Sequence, residues 1–145
     1  MSYATQADLV LRYSEASLLL VAAQADDDTA LDDDKIARAI ADAEAIVNLN
    51  VRSRYAVPLS PVVPDEIKSV ACALARYGLY EGATGVPENV KDGRDSAMAV
   101  LKAIRDGDTP LECDAASSAD PAATAQEPQI ESDDQVMTTD SLKGF

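Results

Sequence analysis

The residues best suited to chemistry in this chain are its carboxylates. "DDDTALDDDK" sets Asp26, Asp27 and Asp28 three intervening residues ahead of Asp32, Asp33 and Asp34. Such a cluster suggests a hard cation bound by oxygen ligands, and an EF-hand loop opening at Asp26 would need glycine at position 31 and a bidentate glutamate at position 37. The chain has Leu31 and Ala37 there, so the calcium reading fails on its two most demanding positions. The plainer account makes Asp32 or Asp33 a helix N-cap, with neighbouring carboxylates at the positive end of the helix dipole and the first triplet in a solvated turn. Histidine is absent, which removes the commonest general base and metal ligand. The sequence contains no glycine-rich phosphate loop, no G-x-S-x-G and no cysteine beside a plausible base. Cys72 and Cys113 make no metal-binding spacing, and Cys72 sits in an apolar run where cysteine behaves as a small hydrophobe. The expectation is a protein that is not an enzyme and has no cofactor, no metal and no disulfide.

The chain of 145 residues is 47% hydrophobic but only 4% aromatic, without tryptophan and with a single phenylalanine. One core built from Ala, Leu, Val and Ile favours closely packed helices. The net charge is −14, opposite to what a tight phosphate binder needs. Residues 1–111 hold 18 acids and 11 bases, and residues 112–145 hold 8 acids and 1 base; each part carries −7, which is dense for the shorter one. No stretch nears the roughly 18 apolar residues of a membrane span, and no basic segment followed by an apolar one opens the chain. The chain reads as cytosolic when made.

The fold class expected is all-α, a compact bundle of about five helices, two short N-terminal ones and three longer, followed by an extended acidic tail. Thr5 with Asp8 caps a first short helix through Leu9, Val10 and Tyr13. Ser14 caps a second, through Leu18 to Val21 and ending near Gln24. From about 33 to 54, Ile36, Ala39, Ile40, Ala43, Ile46, Val47 and Val51 mark one helical face, some 33 Å long at about 1.5 Å per residue. A fourth helix starts at Pro64 with Asp65 and Glu66. It is apolar nearly all round from Ile67 to Tyr80, as befits the centre of a bundle or a subunit boundary. A fifth spans about 88–106, with Val90, Ala97, Val100, Leu101 and Ile104 on one side, Gly107 as its C-cap and Pro110 as its stop. A domain of residues 1–111 and a tail of residues 112–145 result. The tail cannot bury enough apolar surface to fold alone. Its Ile130, Val136, Met137, Leu142 and Phe145 are spaced for docking on a partner chain as a strand or short helix.

Between the third and fourth helices, "RSRYAVPLSPVVPDEI" puts Pro58, Pro61 and Pro64 three residues apart. That spacing suits polyproline II, in which residues 57–63 would extend roughly 22 Å and present Leu59, Val62 and Val63 outward. Two readings stand: a spacer contacting a neighbouring subunit, or a stiff loop packed on its own body. Arg52, Arg54 and Arg76 are candidates for ion pairs between subunits, although a surface pair is worth only about 0–1 kcal/mol.

Taken in order, Tyr3, Ala4, Thr5, Asp8, Leu9 and Arg12, then Arg54, Tyr55, Pro58, Leu59 and Pro64, then Ala75, Arg76 and Tyr77, and finally Leu101, Ile104, Gly107 and Leu111 resemble a family of small Mu-type tailed-phage proteins. The resemblance spans residues 1–111 and does not extend to the tail. It implies a head-tail connector, also called an adaptor or head-completion protein: helical subunits, about twelve to a ring, beneath the portal in the virion neck. Implied partners are further copies of itself, the portal protein, and tail-terminator or other neck proteins. Genomic DNA would pass through without specific binding, no membrane would be involved, and the chain would be in the host cytoplasm during assembly. Candidate contacts with neighbours or portal are Arg52, Arg54, Tyr55, Pro58, Leu59, Val62, Val63 and Arg76. The acidity suits a conduit that must not grip phosphate, and equally suits plain solubility. The alternative is a small acidic helical binding module, a regulator or nucleic-acid mimic acting on a basic protein. A tail terminator would be strand-rich, and the chain offers little period-two alternation.

Overall fold

The computed structural model describes residues 2–60, 62–81 and 85–111. Its five α-helices are α1 (Gln6–Tyr13), α2 (Glu15–Ala22), α3 (Asp33–Val51), α4 (Asp65–Tyr80) and α5 (Glu88–Asp106). The bundle is all-α, as expected. Among the described residues the nearest thing to a strand is an isolated antiparallel bridge between Ala23 and Leu31.

Capping explains where the helices begin. At α1, Thr5 and Asp8 form a reciprocal capping box, which satisfies two amide donors that the first turn leaves open. The two hydrogen bonds from Thr5 also hold the Asp8 carboxyl below its usual pKa. Ser14, at φ 65°, ends α1 and caps α2 in one residue, which turns the chain sharply between two short helices. Asp32 Oδ1 accepts the Lys35 amide proton at 3.0 Å and starts α3. The acidic stretch before it is a closed loop: Gln24 N donates to Ala30 O at 2.9 Å and Asp32 N to Ala22 O at 2.7 Å. Inside that loop, Asp27 Oδ1 accepts from both the amide and the hydroxyl of Thr29, which lowers its pKa.

Helix α4 packs against each of the other four, and eight of its residues are buried. Small side chains make this possible. Ala71, Cys72 and Ala75 are fully covered and let neighbouring helices approach closely, and burial raises the Cys72 thiol pKa. Around this axis α3 and α5 form the main layer, while α1 and α2 close one side.

The structure corrects two expectations about core faces. Ile46 is 37% exposed, whereas Asn50 is buried, its Nδ2 donating to the Ile46 carbonyl at 2.8 Å. At 3.6 residues per turn, Asn50 lies over Val47 and Ala43 on the inner face, and Ile46 falls at its edge. The second correction concerns Leu59, which does not point outward: it is only 2% exposed. The Val57–Pro58 peptide is cis, and the chain beyond it drops Leu59 into the core. The chain bends at Val57 and Pro58, and Val62 alone of the three hydrophobes is strongly exposed at 67%.

Candidate functional site

The proline segment is tied to the body by two tyrosines distant in sequence. Tyr3, buried at the start of the chain, donates its hydroxyl hydrogen to Asn48 Oδ1 at 2.5 Å and accepts the Leu59 amide proton at 2.9 Å. One phenol thereby joins the N-terminus, α3 and the proline turn. Ser2 and the Tyr3 amide are in turn held by Glu44. Tyr55, partly buried against the core, accepts the Leu111 amide proton at 2.9 Å and so fixes the end of the body to the end of α3.

Arg54 reaches across to the end of α5. Its Nε donates to the Arg105 carbonyl at 2.9 Å and its Nη2 to the Asp106 carbonyl at 3.2 Å. A guanidinium on the last carbonyls of α5 satisfies acceptors that the helix leaves open, at the negative end of its dipole. Gly107 adopts φ 89° there, where a side chain is strained, and a β-carbon on it would push the Arg54 guanidinium aside. Arg54, a candidate for an intersubunit ion pair, thus closes the end of α5 within its own chain while staying exposed. Arg76 is likewise engaged within the chain: its guanidinium lies 4.4 Å from the centre of the Tyr13 ring, linking α4 to α1, with Nε buried and without a hydrogen-bond partner. Burial raises the Tyr13 pKa. Arg52 is exposed as the C-cap of α3, and Pro58 is exposed beside the turn.

Among the described residues, two grooves bear on the contact surface. The first, of about 470 Å³, lies between the proline segment and α5 and is lined by Val62, Val63, Pro64, Val100, Ile104, Pro110 and Leu111, with Asp65, Glu66 and Lys68 at its edge. It gathers the predicted contact residues Val62 and Val63 at the point where the body ends. The second, of about 600 Å³, runs between α3, α4 and α5 over Ile46, Leu49, Leu74, Leu79 and Met98. Reading the sequence alone missed this groove; the signal was Leu49, an apolar residue off the inner face of α3, now 59% exposed. The hydroxyl of Tyr3 and the Arg54–Gly107 contact were also missed, because both join residues about 50 positions apart. Among the described residues, no cluster of three or more His, Cys, Asp or Glu could hold a metal, and no helix is long and apolar enough to cross a membrane.

Residues 3–131 match the protein family described as Bacteriophage Mu, Gp36. The chain belongs to this family. It is also 30% identical to gene product J of Escherichia phage Mu over 145 residues, covering 100% of this chain and 99% of that protein. The Gp36 match overturns the expected limit of the resemblance at residue 111, since it takes in the first part of the acidic tail. Within the Gp36-family chain, the matched span includes both tyrosine anchors, the Arg54–Gly107 contact and both grooves. The candidate docking residues Ile130, Val136, Met137, Leu142 and Phe145 lie outside the described residues.

Proposed function

We propose that this chain is a structural virion protein of a tailed phage: a head-tail connector that forms a ring of about twelve copies beneath the portal, joins the filled head to the tail and lines the DNA conduit. Membership of a Mu-type phage family over residues 3–131 is the observation that carries the reading. The partners in this reading are further copies of the chain, the portal protein and other neck or tail-terminator proteins, and no catalytic step is assigned to it.

The physical features support that role. A connector needs a rigid body with apolar contact points, and here the tyrosine anchors fix the proline turn while Val62 stays exposed above the 470 Å³ groove. The net charge of −14 keeps a lumen from holding phosphate through salt-dependent basic contacts. Val62→Ser tests the contact surface. Being 67% exposed, Val62 contributes little to the fold, so stability should stay within about 0.5 kcal/mol of the native chain. Ring formation on purified portal, followed by sedimentation, should weaken. Unchanged assembly would assign the proline turn to the body alone.

A further inference from the structure

Helix α2 is out of place for its composition. Residues 16–25 carry no charge, and the helix has no polar face to turn to solvent. A helix that is apolar all round belongs in an interior, yet only Leu18 and Ala22 of α2 are buried and Leu20 is 82% exposed. Leu11 on α1 is as exposed, at 84%, but it stands among Asp8, Arg12 and Glu15, and a single surface leucine in a polar setting needs no cover. Both ends of α2 are fastened. Ser14 caps its start, and near its other end the Lys35 ammonium donates to the Val21 carbonyl at 2.6 Å.

The α3–α4–α5 groove is the counterpart. On its apolar floor Ile46 and Leu49 are exposed, and Ala39, Ala43 and Gly78 keep that floor low. Its rim is already satisfied within the chain. Lys35 is on Val21, Arg38 Nε donates to the Asp34 carbonyl at 3.2 Å, and Arg94 pairs with Asp95 at 3.1 Å while lying over the Tyr77 ring. Three bases, Lys35, Arg38 and Arg94, balance three acids, Asp42, Glu81 and Asp95, so the groove is neutral, as residues 16–25 are. That match decides the occupant. Residues 1–111 carry −7, so two copies repel over most of their surfaces. They meet at least electrostatic cost where an uncharged helix enters a neutral groove and strips water from no unpaired charge. A strongly charged partner would find no free charge there to pair with. Leu20 lies outside the groove of its own chain, so one copy offers the helix and another the groove.

We propose that α2 of one copy, led by Leu20, seats in the α3–α4–α5 groove of a second copy, against Ile46 and Leu49. Because the two patches differ, the contact is heterologous: every pair leaves one free α2 and one free groove, and repetition closes a ring or runs on as a filament. This contact supplies the subunit boundary of the proposed ring and rests on that reading for its closure.

The test traps the contact as a disulfide, which forms only where two Cα atoms come within about 4.4–6.8 Å. Two versions of the full chain, both with Cys113→Ser, carry Leu20→Cys and Leu49→Cys respectively, and buried Cys72 stays in place. Both new thiols replace exposed side chains, so the helical body keeps its fold. Oxidised with copper phenanthroline, the concentrated mixture should give covalent dimer at about ten times the yield of either chain alone, since seating raises the effective concentration of one thiol at the other. A chain carrying both cysteines should give a ladder of oligomers. Dimer from Leu20→Cys alone at the yield of the mixture would mean α2 against α2 and would overturn the groove as its seat. An equal yield from Leu11→Cys with Leu49→Cys would show collision instead of seating and overturn it too. So would a mixture that gives no cross-link even with purified portal added; if sedimentation then still shows a ring on the portal, the connector reading stands and the α2 contact alone falls. A ladder from a chain that the virion neck lacks would keep the contact and remove the connector.

Discussion

Removing the Tyr3 hydroxyl is the sharpest test of how the proline turn is held. Tyr3→Phe keeps the ring in its buried site and deletes one donor and one acceptor. The donor met Asn48 Oδ1 at 2.5 Å and the acceptor met the Leu59 amide at 2.9 Å. Asn48 is only partly buried, so water can replace the phenol there at small cost. Leu59 is 2% exposed, and leaving its N–H unpaired costs about 1–3 kcal/mol, to which the lost bond to Asn48 adds about 1 kcal/mol. The expected destabilisation is therefore about 2–4 kcal/mol by urea titration, with the Leu59 amide exchanging its hydrogen faster. Tyr55→Phe, at a half-buried phenol that accepts one bond from Leu111, should cost about 1 kcal/mol. A Tyr3→Phe variant within about 0.5 kcal/mol of the native chain, or no more affected than Tyr55→Phe, would refute the reasoning.

Other substitutions probe the helix ends. Gly107→Ala forces a β-carbon into a left-handed residue, at about 1–2 kcal/mol, and displaces the Arg54 guanidinium from the α5 carbonyls. Combined with Arg54→Met, which removes the guanidinium first, the two effects should be less than additive by roughly 1 kcal/mol in a double-mutant cycle; full additivity would show that the close approach carries no energy. Thr5→Ala removes the capping box and should cost about 1 kcal/mol near neutral pH. Because the folded Asp8 pKa lies below its ordinary value of 3.8, that carboxylate stabilises the fold above pH 3.8 and the benefit disappears as pH falls through the folded pKa. The gap between Thr5→Ala and the native chain should thus shrink on acidification; a gap that widens would contradict the assignment of Asp8 as the capping partner.

The helices were legible because their signals are local. Thr5 with Asp8, Ser14, Asp32, and Pro64 before a pair of acids each mark a start within four residues, and the inner face of α3 repeats at helical spacing. The largely apolar run of α4 from Ile67 to Tyr80 also announced its central place. The contacts that organise the candidate surface are of another kind. The Leu59 amide meets the Tyr3 hydroxyl across 56 positions, and nothing near Leu59 distinguishes a core residue from an outward one in a proline-rich run. Arg54 is the surface charge it reads as, but nothing near it in sequence announces the carbonyls of Arg105 and Asp106 that it meets. Period alone also blurred the edge of the α3 face, where Ile46 and Asn50 exchange the roles that their polarity suggests. The grooves belong to three helices at once, and no single stretch encodes them.

The connector reading is tested most directly by cryo-electron microscopy of intact particles of the phage that encodes this chain. The account predicts a ring of density beneath the portal into which the α1–α5 bundle fits, with Val62 at a contact with a neighbour or the portal. A neck built without this chain would contradict it and would favour a small acidic protein acting on a basic partner outside the virion.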